Sequence, residues 1–246
     1  MSKYFLVIPA EGDSVETERW YVQNLKAHYP YSWVYVFRYN GDRDINIGIR
    51  DSVRNFHEEM PAISFEIHAQ GGFGAAVASY LAMHYPENVE YIFFIGGAPS
   101  TAMPKIAKFF HCWLSRLWYL SKIPFFADDP NPRHDPIISR IKRYSTKTMR
   151  KNPELYRNQL IFIGYWIPPK SWQLPYRVGF FIPNGKTVRP AWLDNSYDNK
   201  KAAELWKIHN VTTTPAPGNY FSFYSMMPTD ALFKVMDSVR RPFEFD

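Results

Sequence analysis

Over the first hundred residues, short apolar runs alternate with longer stretches of helical periodicity. Tyr4 to Ile8, Trp33 to Tyr39, Ile63 to His68 and Val89 to Ile95 have strand length and are rich in the β-branched and aromatic side chains that suit a buried pleated surface. Between them, Val15 to His28, Ile49 to Glu59 and Gln70 to Tyr85 repeat their apolar positions at helical spacing. Asp13-Ser14 supplies a cap for the first, and Pro30, Pro61 and Pro86 follow the three helices, where proline stops further helical growth. Strands joined by crossover helices pair in parallel, so the pattern predicts an α/β fold: a mainly parallel sheet with helices on both faces.

After Gly96-Gly97-Ala98-Pro99 the alternation stops. Pro104 to Trp172 reads as helical pieces divided by Pro124, Pro130, Pro132, Pro136, Pro153, Pro168 and Pro169. It resumes with a strand at Arg177 to Ile182, a helix at Ser196 to Ile208, a strand at Val211 to Thr214 and a closing helix at Thr229 to Arg240. The expected organisation is a core in two parts, 1–100 and 176–246, interrupted by a helical cap insertion at 101–175. No internal repeat or low-complexity tract is present.

Composition narrows the class. A chain of 246 residues with 46% hydrophobic and 21% charged residues can bury a core, which excludes disorder as its main state. With 8 Trp, 17 Tyr and 19 Phe, a ring-lined cavity is easily built. The one cysteine, Cys112, excludes an internal disulfide and a multi-cysteine zinc site, and a reducing, cytoplasmic location is expected. The seven histidines lack ligand spacing, so neither a metal nor another cofactor is expected. Tyr4 to Ile8 is too short for a signal-peptide core, and no run reaches the roughly 18 apolar residues of a membrane span. A soluble protein, or one peripheral to a membrane, is expected.

Charge is unevenly spread. Residues 101–175 hold 13 Lys and Arg against 4 Asp and Glu, which makes this segment +9 within a chain of net +6. Lys105, Lys108, Arg116 and Lys122 accompany an amphipathic stretch whose apolar side carries Phe109, Phe110, Trp113, Leu117, Trp118 and Leu120, while Arg140, Lys142 and Arg143 open a second basic run. A lid over a pocket, a helix lying on an anionic membrane and a surface for an acidic protein all fit this pattern. A plain solvated basic face fits it too. Nothing around the run has the form of a nucleic-acid-binding motif, which argues against nucleic acid.

The most informative stretch is Ile67-His68-Ala69-Gln70-Gly71-Gly72, between a predicted strand and a helix full of small residues. It resembles the nucleophile elbow of the α/β-hydrolase superfamily, in the form found in esterases and epoxide-hydrolase-like members with a helical cap. The resemblance implies an α/β-hydrolase fold and places Ala69 where the family has serine. Pro9-Ala10-Glu11-Gly12 falls where the family forms part of its oxyanion hole. Gly179 to Pro190 resembles the strand and loop that present the catalytic acid, with Lys186 in its place, and Ala216-Pro217-Gly218-Asn219 resembles the histidine loop with Asn219 in its place.

Each replacement removes what acyl transfer requires: Ala69 has no attacking oxygen, Asn219 no titrating base, and Lys186 has the wrong charge to support an imidazolium. The resemblance therefore implies a catalytically inactive member, a pseudoenzyme. It would bind a small hydrophobic or carbonyl-containing ligand through Ala10, Glu11, Ala69, Gln70 and Asn219, and an anionic partner through its basic cap. The alternative is an enzyme with repurposed non-serine hydrolase or lyase chemistry in the same pocket. His68 is the candidate base for that alternative, though the residue before the family's nucleophile generally points away from the pocket, where a structural histidine would sit. The sequence leaves the oligomeric state open.

Overall fold

The computed structural model describes residues 3–10, 15–39, 45–95, 177–183, 211–216 and 229–240, together with Leu155, Asn158, Gln159 and Phe162. In chain order the elements are β1 (Tyr4–Ile8), α1 (Val15–His28), β2 (Trp33–Val36), α2 (Ile45–Glu59), β3 (Phe65–Gln70), α3 (Gly71–His84), a 3-10 turn (Pro86–Asn88), β4 (Val89–Ile95), β5 (Arg177–Pro183), β6 (Val211–Ala216) and α4 (Thr229–Arg240). The expected helix at Ser196 to Ile208 and, apart from those four residues, the expected cap lie outside the described residues.

The six strands form one sheet in the order β2-β1-β3-β4-β5-β6, with every neighbouring pair parallel. The chain steps outward from β1 to β2, then crosses back over β1 to β3 and continues the other way. Connections leave β1 and β3 in opposite directions, which makes the carboxyl ends of these two strands the topological switch point, where open α/β sheets bind their ligands. The functional site is sought there.

Side chains alternate between the two sheet faces. Leu6, Ile8, Ile67, Ala69, Ile92 and Phe94 pack with α2 and α3 in one core. Phe5, Val7, Tyr91, Phe93 and Ile95 pack with Tyr21 and Leu25 of α1 and Leu232, Phe233 and Met236 of α4 in the other. α1 is tied to α4 at Asp237, which accepts from Tyr29 Oη at 2.6 Å and lies 3.0 Å from His28 Nε2.

Several boundaries differ from the periodicity: α3 is one residue shorter at each end, and β5 and β6 run on to Pro183 and Ala216. β2 ends at Val36 rather than Tyr39, because its partner β1 ends at Ile8 and the last bond, Phe37 N–H to Val7 C=O at 2.9 Å, exhausts the ladder. α2 begins at Ile45, running through the buried Gly48 instead of starting after it. β3 covers Phe65–Gln70, two residues beyond Ile63 to His68 at each end. Among the described residues no helix is long and apolar enough to cross a membrane.

Candidate functional site: the strand-to-helix elbow of β3 and α3

β3 is held on both sides, by β1 and by β4, so it stays extended until a residue can reverse it. Ala69 pairs with Ile8 and Phe94, Gln70 pairs with Ile95, and the chain turns only at Gly71, whose φ is 64°. A left-handed φ at this point favours glycine, which has no Cβ to strain. Gly74, one turn into α3, lets the helix approach the end of β1. A Cβ there would stand 2.7 Å from the Ile8 carbonyl oxygen and 3.3 Å from that of Pro9.

The elbow presents donors without a nucleophile. The first N–H groups of a helix have no intrahelical acceptor, and Gln70, in the N-cap position of α3, makes no side-chain cap. Gln70 is only 1% exposed, and its Nε2 has no hydrogen-bond partner. A buried amide without an acceptor costs free energy, about 1–3 kcal/mol, unless something accepts from it. Gly71 and Gly72 add no side-chain atoms of their own to the first turn, which is itself buried, and Ala10 is buried two residues past the end of β1. Donors at the positive end of a helix dipole suit a carbonyl or carboxylate oxygen.

By sequence, the chain matches no protein-family model and no curated protein. By structure, a thermophilic esterase from Thermogutta terrifontis matches with a TM-score of 0.69 at 10% identity, over 97% of this chain and 91% of the esterase. The Vlm2 thioesterase domain matches with a TM-score of 0.62 at 13% identity, over 97% and 92%. An α/β hydrolase family protein from Desulfitobacterium hafniense gives 0.62 at 13%, over 97% and 96%. The fold is that of the α/β-hydrolases.

In an α/β-hydrolase elbow the nucleophile sits on the sharp turn between strand and helix. Here that turn is at Gly71, two residues beyond the serine position that the motif resemblance assigns to Ala69. Ala69 lies inside the ladder, fully buried in the α2–α3 core. The cause is the ladder: two bonded neighbours keep β3 extended through Gln70, which a local motif does not reveal. Gln70 and Ala10 follow Ala69 and Ile8, the last residues that β3 and β1 pair with each other, at the same edge of the sheet. Glu11, Lys186 and Asn219 lie outside the described residues, as do Lys105, Lys108, Arg116, Lys122, Arg140, Lys142 and Arg143. Lys186 and Asn219 each follow by three residues a strand, β5 or β6, that ends at the same edge of the sheet as β3.

His68 points to the opposite face from Ala69 and is fully buried. Its Nδ1 is 2.8 Å from Tyr21 Oη and its Nε2 is 2.9 Å from Glu66 Oε1. In the neutral ring, Nε2–H donates to the carboxylate and Nδ1 accepts the phenol proton. The rings of Phe5, Tyr21, Phe93 and Phe233 surround it, with centroids 5.3 to 6.3 Å away. Both nitrogens are engaged and solvent is excluded, so this histidine joins α1 to β3.

Sequence reasoning missed Glu66, Tyr21 and Gly71. Glu66 and His68 had a signal, two ionisable residues at i and i+2 in an otherwise apolar strand, which are tolerated in a core only when paired. Farther along α3, burial lowers the His84 pKa from its ordinary 6.5, and burial also raises that of Tyr80. Among the described residues, no group of three or more His, Cys, Asp or Glu is arranged to hold a metal ion.

Proposed function

We propose that this hydrolase-fold chain binds and does not hydrolyse. Its elbow takes the carbonyl or carboxylate oxygen of a small ligand with an apolar body, and its basic segment engages an anionic partner. One observation carries the reading: the turning residue of the elbow is Gly71, which has no side chain to attack anything, while Gln70 Nε2 beside it is buried and unpartnered. The hydrolase likeness supports the fold of the pocket. The sealed position of His68 speaks against base chemistry by that residue.

Octanoate, a carboxylate on an apolar chain, is the probe for the binding half. Calorimetry should show binding that Gln70→Leu weakens by about tenfold, the value of roughly 1.4 kcal/mol for one lost hydrogen bond to a charged group. Gln70→Leu should leave thermal stability unchanged or higher, because it removes an orphan donor. Loss of stability with binding unchanged would make Gln70 a structural residue and overturn the site. For the chemical half, short- and long-chain nitrophenyl esters should turn over at background, also with Ala69→Ser. Turnover abolished by His68→Ala would overturn the inactive reading.

A further inference from the structure

We infer that the outer edge of β2 is a dimer interface, in which two copies of this chain pair β2 to β2 antiparallel about a two-fold axis. β2 is one border of the sheet, and among the described residues nothing pairs with its outer side. Trp33 N–H bonds Lys3 C=O at 2.8 Å and Phe37 N–H bonds Val7 C=O at 2.9 Å, so the odd positions face β1. In a parallel ladder the N–H and C=O of one residue point to the same side, which turns those of Val34 and Val36 outward.

Borders of sheets are normally blunted by charge, proline or bulges. The opposite border, β6, carries Pro215. β2 reads Trp-Val-Tyr-Val with no charge and no proline. Trp33 is 58% exposed and Tyr31, two residues before it, 87% exposed, two of the three large hydrophobic side chains that stand exposed among the described residues. Unpaired backbone groups along a flat uncharged strand select another strand, not a helix.

A second copy fits because the strand is self-complementary in one register. Outward residues must face outward residues, which leaves registers centred on Tyr35 or on Val34, besides one centred on Val36 that would oppose Val34 to Arg38, an exposed cation beyond the end of the strand. The register centred on Val34 needs the Ser32 N–H, which already donates to Tyr29 C=O at 3.1 Å. Centred on Tyr35, Val34 of each copy exchanges bonds with Val36 of the other, so every outward N–H and C=O of these valines finds a partner. Tyr35 then faces its own copy, Trp33 faces Phe37 across the seam, and these aromatic cross-strand pairs add to the bonding with no like charges opposed.

Sedimentation of the full chain over a concentration series tests this. A dimer is expected, and Val34→Pro, which removes an outward donor while leaving the β1 ladder intact, should weaken it by about tenfold or more with unchanged far-UV dichroism. In a Cys112→Ser background, Tyr35→Cys should oxidise to a linked dimer, since facing residues of a non-hydrogen-bonded pair lie about 4.5 Å apart at Cα. Trp33→Cys should not, because its two copies would stand about 13 Å apart. A monomer up to about 100 μM, a dimer indifferent to Val34→Pro, or linkage through Trp33→Cys in place of Tyr35→Cys would each overturn the inference. If Val34→Pro does not fold, the two cysteine variants still decide it.

Discussion

Glu66 and His68 stand two positions apart on a strand bonded from both sides, so neither reaches water and each depends on the other. Removing the imidazole takes a hydrogen bond from a buried carboxylate, at a cost of about 3 kcal/mol. His68→Ala should therefore destabilise the fold by that order in urea titration. Tyr21→Phe removes the 2.8 Å bond to His68 Nδ1 and should cost about 1–3 kcal/mol. A His68→Ala variant as stable as the parent would remove this account. The glycines of the elbow give an ordering: Gly71→Ala meets left-handed strain, about 1–2 kcal/mol. Gly74→Ala must push α3 away from the Ile8 carbonyl and should cost more. His84 adds a pH dependence. Its folded pKa is lowered by burial, so the unfolded chain binds its proton first and stability falls as pH drops below about 6.5, the unfolded value. Tm measured from pH 7 to 5 should decline, and His84→Gln should flatten the slope.

At the scale of elements, the legible parts were those with strong local signals. Tyr4–Ile8, Val15–His28, Val89–Ile95 and Thr229–Arg240 have the same bounds in sequence pattern and structure, because apolar period and proline punctuation agree there. β3 was found but misplaced by two residues, since its end is set by hydrogen bonds to β1 and β4, which are remote in sequence. That displacement is also why the sequence located the elbow but put Ala69, and not Gly71, at its tip. α2 starts at Ile45, before the apolar period that opens at Ile49, and runs through Gly48, because glycine inside a helix costs only about 1 kcal/mol and tertiary packing overrides it. The connection from α2 to β3 rests on Asn88, whose Nδ2 donates to Met60 C=O and Ile63 C=O, both at 2.8 Å, while its Oδ1 lies 2.6 Å from His57 Nδ1. No local pattern announces that hub. Asn88→Ala should cost about 2–3 kcal/mol, read by chemical denaturation, because two carbonyls and an imidazole lose their partner together.

For the whole molecule, the charge of +9 in residues 101–175 stands against −3 in the rest, the difference from the chain's +6. If that segment faces solvent, a field so divided would orient the chain toward anionic surfaces before any contact forms. If the basic segment engages such a surface, part of the binding is counterion-screened, because exposed charges farther apart than about 8–10 Å are largely shielded near 0.1 M salt. Sedimentation with vesicles containing anionic lipid should show binding at low salt that falls steeply as salt rises, and vesicles of neutral lipid should bind little. Lys105, Lys108 and Lys122 share their stretch with an apolar stripe of rings, the combination that places aromatics in a membrane interface and lysines at headgroups. Replacing these three with Glu should abolish vesicle binding with far-UV dichroism unchanged. Replacing Arg140, Lys142 and Arg143, which have no such stripe, should weaken it only in proportion to the charge removed. Equal loss from both triple variants would show that net charge alone matters and that the aromatic stripe belongs to the protein's interior. Binding indifferent to both would leave the basic segment a solvated face and the elbow as the working part of the molecule.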